Sequence, residues 1–216
     1  MAEILFKRTL HPVGHGAFFT EQFCYGDIKR SFLNVVYDCG SFDEGPRKVP
    51  KILKDAFYSA FDYKGHIDII FISHFDGDHI NGIEFILKQE HSYIDNRTIV
   101  VVPFKYPLIL HLLEGSYRRV GRLIQKLVNK NVVILGIDNE IQMGEGQELS
   151  IEKLYEQKTI RNGTILYNDL WYYVPFIVKS TSNYLDKVIQ KIRSCGLNES
   201  ALYDGDYIRK NIEKIK

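Results

Sequence analysis

Residues 73–79 read Ser-His-Phe-Asp-Gly-Asp-His, so His74, Asp76, Asp78 and His79 place four metal-binding side chains within six positions. Imidazole and carboxylate are ordinary ligands for zinc and also for harder ions such as manganese or iron. Two ions a few ångströms apart can share a water, lower its pKa, and clamp the attacking and leaving oxygens of a phosphoester. A His-x-Asp-x-Asp-His string suits one or two such divalent ions, because alternate residues can face different ions. Taken singly, the same residues read as a turn: Asp-Gly is a common turn pair, Asp78 could cap a helix, and His74 could be a packed histidine. The joint pattern after an apolar strand favours the metal.

The elements around the string must hold it in place. "HIDIIFI" before it is a short continuous apolar run, as expected for a strand covered on both faces, and "INGIEFILKQEH" after it has helical spacing at Ile80, Ile83, Ile86 and Leu87. The ligands then lie on a loop at the carboxyl end of a central strand, where open α/β sheets usually build their sites. Upstream, "EILFKRTL", "GAFFTEQFCY" and "SFLNVVYDCG" read as strands, with "GDIKRS" as a turn. Residues 47–61 carry an apolar stripe at Val49, Ile52, Leu53, Ala56, Phe57 and Ala60. "TIVVVPF" is a further buried strand, and "SYRRVGRLIQKLVNKN" is an amphipathic helix leading to the strand "VVILGI". Residues 138–168 read as irregular, "LWYYVPFIV" as a strand, and 182–195 and 206–216 as helices. Strands joined through helices imply an α/β layered domain.

The 216 residues, 45% hydrophobic, suffice for one large domain, and a net charge of +1 favours no particular class of charged partner. Three widely spaced cysteines without a CxxC pair fit a reducing compartment. No apolar run approaches the roughly 18 residues of a membrane span. A cytoplasmic protein without a membrane partner is the expectation. The final "RKNIEKIK" carries no stop signal, which suggests a piece of something longer. Arg119, Arg122, Lys126 and Lys130 form a stripe that could follow a phosphate backbone, though a solvated face opposite Val120, Leu123, Ile124 and Leu127 is the plainer reading.

"SHFDGDHINGI" resembles the Ser-His-x-His-x-Asp-His-x-x-Gly signature of the metallo-β-lactamase superfamily, with Asp76 in place of its second histidine. It is nearest the hydrolase-like domain of bacterial DNA-uptake channel proteins, where His-x-Asp-x-Asp-His is usual. "VGHGAFF" and the later "NVVYDCGS" are similar to that branch's Val-Gly-Gln-Gly-Asp-Ala hairpin and Asp-x-Gly strand end. The resemblance covers roughly residues 10–105. It implies an αββα sandwich, of which residues 1–135 hold the first half and 136–216 an insertion or a divergent or truncated second half, all within one domain. It also implies first-metal ligands at His74 and Asp76 and second-metal ligands at Asp78 and His79, with Asp78 helping to orient or deprotonate the attacking water. Asp38 matches a supporting carboxylate, and His15 stands at the pocket rim where the branch usually has glutamine.

The superfamily completes its sites with a later histidine, a bridging aspartate and a final histidine. Here His91, His111, Asp204 and Asp206 are the weak candidates: a helix-end histidine, a packed histidine, and two aspartates ahead of a helix. The expected activity is therefore metal-dependent hydrolysis of a small-molecule or nucleic-acid phosphodiester or related ester. The alternative is a catalytically incomplete relative acting as an interaction or regulatory module.

Overall fold

A computed structural model describes residues 4–25, 31–45, 48–61, 65–105, 118–138, 147–168, 171–175, 190, 192–198, 202–204, 206–207 and 210–211. The chain divides into two compact units, Met1–Pro103 with Leu127–Ile134, and Phe104–Lys126 with Leu135–Lys216. Both mix strands and helices, which makes the protein α/β. The "GDIKRS" turn falls largely outside the described residues.

The first unit is built on strands β1 (Ile4–Leu10), β2 (Phe18–Tyr25), β3 (Ser31–Cys39), β4 (Ile69–Phe71) and β5 (Ile99–Val102), hydrogen-bonded in that order. β1, β2 and β3 pair antiparallel, then β3, β4 and β5 run parallel, with Val35 opposite Ile69 and Ile69 opposite Ile99. The parallel strands require crossovers, and these are helices α1 (Lys51–Phe61) and α2 (Gly77–Ile86). Val35, Val36, Ile69, Ile70, Ile99 and Val100 are fully buried, as continuous apolar runs in a covered parallel sheet should be.

α1 buries Leu53, Phe57 and Phe61, one face at a spacing of four. Ile52, expected in that stripe, is instead 39% exposed, so the buried face is narrower than the spacing suggested. Phe57 meets Phe61, Phe85 and Tyr93, with ring centroids 4.9–6.0 Å apart, and so ties α1 to α2. On α2, Ile80, Ile83 and Ile86 are buried together with Asn81 and Gly82. Gly82 is small of necessity, because a Cβ there would lie 2.5 Å from Cys39 Sγ at the end of β3. This contact seats α2 against the carboxyl end of β3.

Helix α3 (Arg118–Asn129) buries Val120, Leu123, Ile124 and Leu127, while Arg122 and Lys130 face solvent. Strand β6 (Val133–Asp138) follows it, leaving the first unit and entering the second. Of residues 138–168, expected to be irregular, the described 147–168 are largely ordered. They hold β7 (Glu148–Ser150), a 3-10 helix (Ile151–Glu156), β8 (Thr159–Arg161) and β9 (Ile165–Asn168). These strands are three or four residues long, too short to display a period of two. The Asn162-Gly163 pair between β8 and β9 is a tight-turn signal, and Gly163 takes φ +78°.

In the second unit β6 pairs with β8 in parallel. β9 lies between β7 and β10 (Trp171–Tyr173) in a separate three-stranded sheet. "LWYYVPFIV" thus contributes a strand of three described residues. Within the expected 182–195 helix, residues 190 and 192–194 are helical. Among residues 206–216, 206–207 and 210–211 are helical.

Candidate metal centre

β4 ends at Phe71 and α2 begins at Gly77, so Ser73–Asp76 form the connection at the carboxyl end of a central parallel strand. Asp76 is the residue preceding α2, with extended backbone, and its carboxylate makes no capping hydrogen bond. Asp78 lies inside the first turn and is not the cap. Neither carboxylate is therefore spent on the helix cap that the turn reading assigned.

The loop is anchored by a residue distant in sequence. Asp38, in β3, is buried and holds a left-handed φ of +49°, a conformation that aspartate tolerates better than most residues. Its Oδ1 accepts the Ser73 backbone N–H at 2.8 Å. Its Oδ2 accepts the Ser73 hydroxyl at 2.6 Å and His79 Nδ1 at 2.8 Å. A carboxylate can only accept, so His79 carries its proton on Nδ1. The Ser73 hydroxyl donates to Asp38, so its oxygen, 2.9 Å away, accepts from His74 Nδ1. In the neutral imidazoles one carboxylate thus selects the tautomer of both histidines, His79 directly and His74 through Ser73, and leaves an Nε2 lone pair on each.

Those lone pairs face the two remaining carboxylates. His74 Nε2 lies 3.6 Å from Asp76 Oδ2, and His79 Nε2 lies 3.8 Å from Asp78 Oδ2. The two rings are 3.7 Å apart between centroids. His79 and Asp78 are largely enclosed, with 19% and 14% of their side chains exposed, while His74 and Asp76 are at 47% and 79%. His15 comes from the loop before β2, and its Nε2 lies 3.5 Å from Asp78 Oδ2.

Three backbone segments meet beneath this group. The Ala17 N–H donates to Asp78 O at 3.1 Å, the Gly40 N–H to Ala17 O at 2.9 Å, and the Phe42 N–H to His15 O at 2.7 Å. Gly16 and Gly40 permit the approach: a Cβ on Gly40 would lie 2.4 Å from the Asp78 carbonyl carbon, and one on Gly16 2.3 Å from Gly40 O. Asn81, fully buried on α2, closes the assembly by accepting the Ser41 N–H at 3.0 Å and donating to Ser41 O. Beside Asp38, burial pushes the Cys39 thiol far above its ordinary range, and the Asp38 charge adds to that, so Cys39 is a packed thiol and not a nucleophile.

No protein-family model matches the chain, and no curated protein matches it.

The donors suit a divalent ion in kind and in orientation. Two ligands of one tetrahedral ion at about 2.1 Å are separated by roughly 3.4 Å, so pairs at 3.5–3.8 Å stand close to such an edge. Imidazoles whose Nδ1 protons go to a carboxylate or hydroxyl, leaving Nε2 outward, have the supporting contacts usual for metal-ligating histidines. Among the described residues, however, no three His, Cys, Asp or Glu groups stand close enough together to hold an ion without adjustment.

All six residues singled out from the sequence, His15, Asp38, His74, Asp76, Asp78 and His79, belong to this grouping. Ser73 and Asn81 were missed. Ser73 is the first residue of the recognised string, and the signal for Asn81 was a polar residue amid the apolar positions of α2. The exposed His91 bonds Gly65 O at 2.9 Å through Nε2, and Asp204 Oδ1 accepts the N–H groups of Asp206 and Tyr207. His111 lies outside the described residues.

Proposed function

We propose that the protein is a metal-dependent hydrolase with a metallo-β-lactamase-like centre, acting on a phosphodiester or related ester. The observation carrying this reading is the pair of histidines whose Nδ1–H groups donate to Asp38 and Ser73 while their Nε2 atoms face Asp76 and Asp78. His74 and Asp76 would hold one divalent ion, and Asp78 and His79 a second or a shared one; zinc, manganese and iron all accept this mixture of nitrogen and oxygen. Such an ion, when bound, supplies a Lewis acid and lowers the pKa of water.

The chain's own residues do the rest. Asp38 and Ser73 orient both imidazoles, and the backbone clasp around Asp78 sets the position of its carboxylate. Asp78 would orient the attacking water and take its proton, being the more enclosed of the two carboxylates of the string. The sandwich architecture and the ester class rest on the sequence resemblance. The antiparallel-to-parallel sheet with its ligand loop at a strand end is compatible with that architecture.

Elemental analysis after supplementation with zinc, manganese and iron, paired with metal-dependent turnover of a chromogenic phosphodiester, tests the proposal. Stoichiometric metal and turnover abolished by Asp78→Ala are expected. Only trace metal after supplementation would refute the centre. Stoichiometric metal without turnover of any ester would instead identify a non-catalytic module on the same fold.

A further inference from the structure

We propose that His66, Asp68 and Asp95 form a proton-operated latch, in which uptake of one proton between His66 and Asp68 fastens the 91–98 segment to the start of β4. The latch lies at the amino end of β4, and the 73–79 string follows the other end of that strand. Both ring nitrogens of His66 are buried, and neither has a hydrogen-bond partner among the described residues. Nε2 lies 3.9 Å from Asp68 Oδ1 and 3.8 Å from Asp95 Oδ1. Those separations are too long for a hydrogen bond, and shorter than the roughly 4.5 Å that a bridging water spans. A buried, unpaired imidazole is costly, so a movement of about 1 Å onto the carboxylates has a bond to gain. What holds the gap open is charge.

The groups around the gap are already tied down. Asn34 Nδ2 donates to His66 O at 2.8 Å, the Ile67 N–H donates to Tyr93 O at 2.9 Å, and Asp68 Oδ2 accepts the Asn34 N–H at 2.7 Å. Asp95 accepts the Arg97 N–H and guanidinium at 2.8–3.2 Å, and His91 Nε2 bonds Gly65 O at 2.9 Å. The charged and titratable groups facing the ring are thus Asp68 from its own segment, and Asp95, Arg97 and His91 from the segment before β5. With the ring neutral, Asp68 and Asp95 are like charges on one imidazole nitrogen, and their repulsion opposes closure. One proton removes it. Whether that proton sits on Nε2 or on Asp68 Oδ1, a hydrogen lies between the two atoms, and Asp95 then faces a neutral pair. Burial holds His66 below its ordinary value, with Asp95 raising it and Arg97 and His91 lowering it. Burial raises Asp68 to about 6, while the Arg97 hydrogen bond keeps Asp95 ionised, so the latch closes as the pH falls through about 6.

Two NMR measurements between about pH 7.5 and 4.5 test the latch. Nitrogen-15 shifts of the His66 ring and carbon-13 shifts of the Asp68 carboxyl follow the shared proton. Amide exchange of Ile67, whose N–H joins the two segments through Tyr93 O, follows the fastening and is read against Val100 in the sheet. The expected result is that ring and carboxyl shifts move together with one midpoint. Ile67 protection relative to Val100 should rise at least about threefold over the same range. His66→Gln and Asp95→Asn should each flatten that rise, and thermal melts show whether each variant is folded. Ring and carboxyl midpoints more than about one pH unit apart would overturn the shared proton. No rise in Ile67 protection in wild type, or a rise kept in folded His66→Gln, would overturn the fastening. Should a variant fail to fold, the wild-type shifts and exchange still decide the outcome.

Discussion

Asp38 Oδ2 accepts the Nδ1 proton of His79 across 2.8 Å, joining the end of β3 to the first turn of α2 over 41 residues of chain. The same carboxylate reaches His74 through Ser73, so two imidazoles depend on one anion for orientation and tautomer. Asp38 touches no substrate in this scheme and is a positioning residue.

Asp38→Asn keeps the size and the tolerance of a left-handed φ but removes the charge and the capacity to accept three donors. Zinc affinity should fall about 10–100-fold, the usual cost of losing a support behind a histidine ligand. A competition titration reads this directly. Affinity unchanged in a folded variant would remove Asp38 from the support of the centre.

Gly40→Ala should destabilise the fold and disturb the site at once. The added methyl would lie 2.4 Å from the carbonyl carbon of Asp78, which is backbone and cannot rotate away. Overpacking of this kind costs about 1–3 kcal/mol or more, visible as a lower urea midpoint. Because the displaced segment carries Asp78, zinc binding should weaken beyond what the stability loss explains. A wild-type midpoint would show that the clasp has more room than these contacts indicate.

Asn81→Ala tests the same clasp from the helix side. The buried amide serves both the N–H and the O of Ser41, and leaving these groups unsatisfied should cost about 1–3 kcal/mol. Chemical denaturation should show the loss. An effect no larger than that of an exposed substitution would mean that water replaces the amide.

Stability against pH should reflect groups of opposite sign. Burial lowers His11 from 6.5 to about 4, with Lys7 adding to the shift, so the folded state holds His11 neutral where the unfolded chain protonates it. Between about pH 6.5 and 4 this term removes stability as acid is added, up to about 3 kcal/mol. Burial raises Asp68 from 3.8 to about 6, partly offset by the Asn34 N–H it accepts, so here the folded state binds the extra proton. That penalty is present above pH 6 and is relieved as the pH falls toward 3.8, also by up to about 3 kcal/mol. The two slopes oppose each other between about pH 4 and 6. Asp68→Asn should therefore steepen the acid loss and His11→Gln should lessen it, both on top of the acid loss from His66, lowered by burial, and Asp95, lowered by the Arg97 hydrogen bond. Urea midpoints at three pH values would check both signs, and parallel profiles for wild type and either variant would contradict the assignment.

Much of the first unit was legible in the sequence because its local signals agree with its tertiary burial. Val35-Val36, Ile69-Ile70 and Ile99–Val102 are apolar runs that became buried strands, and Ile80, Ile83 and Ile86 show their helical face. Legibility failed where burial is decided by partners far along the chain. The short strands β7, β8 and β9 carry too few residues to show a period, and Ile52 has the spacing of a buried residue yet stays half-open to solvent.

For the candidate centre, the sequence alone determined which donors exist and that His74, Asp76, Asp78 and His79 share one short stretch, because residue identity and proximity within six positions are properties of the chain itself. Only the tertiary structure decided which nitrogen of each histidine is free and how close Asp38 and His15 come. Those depend on hydrogen bonds and backbone contacts between segments as far apart as His15, Gly40 and Asp78. A carboxylate at the end of one strand sets the proton of a histidine on a helix 41 residues away, and nothing in the local sequence of either residue encodes that distance.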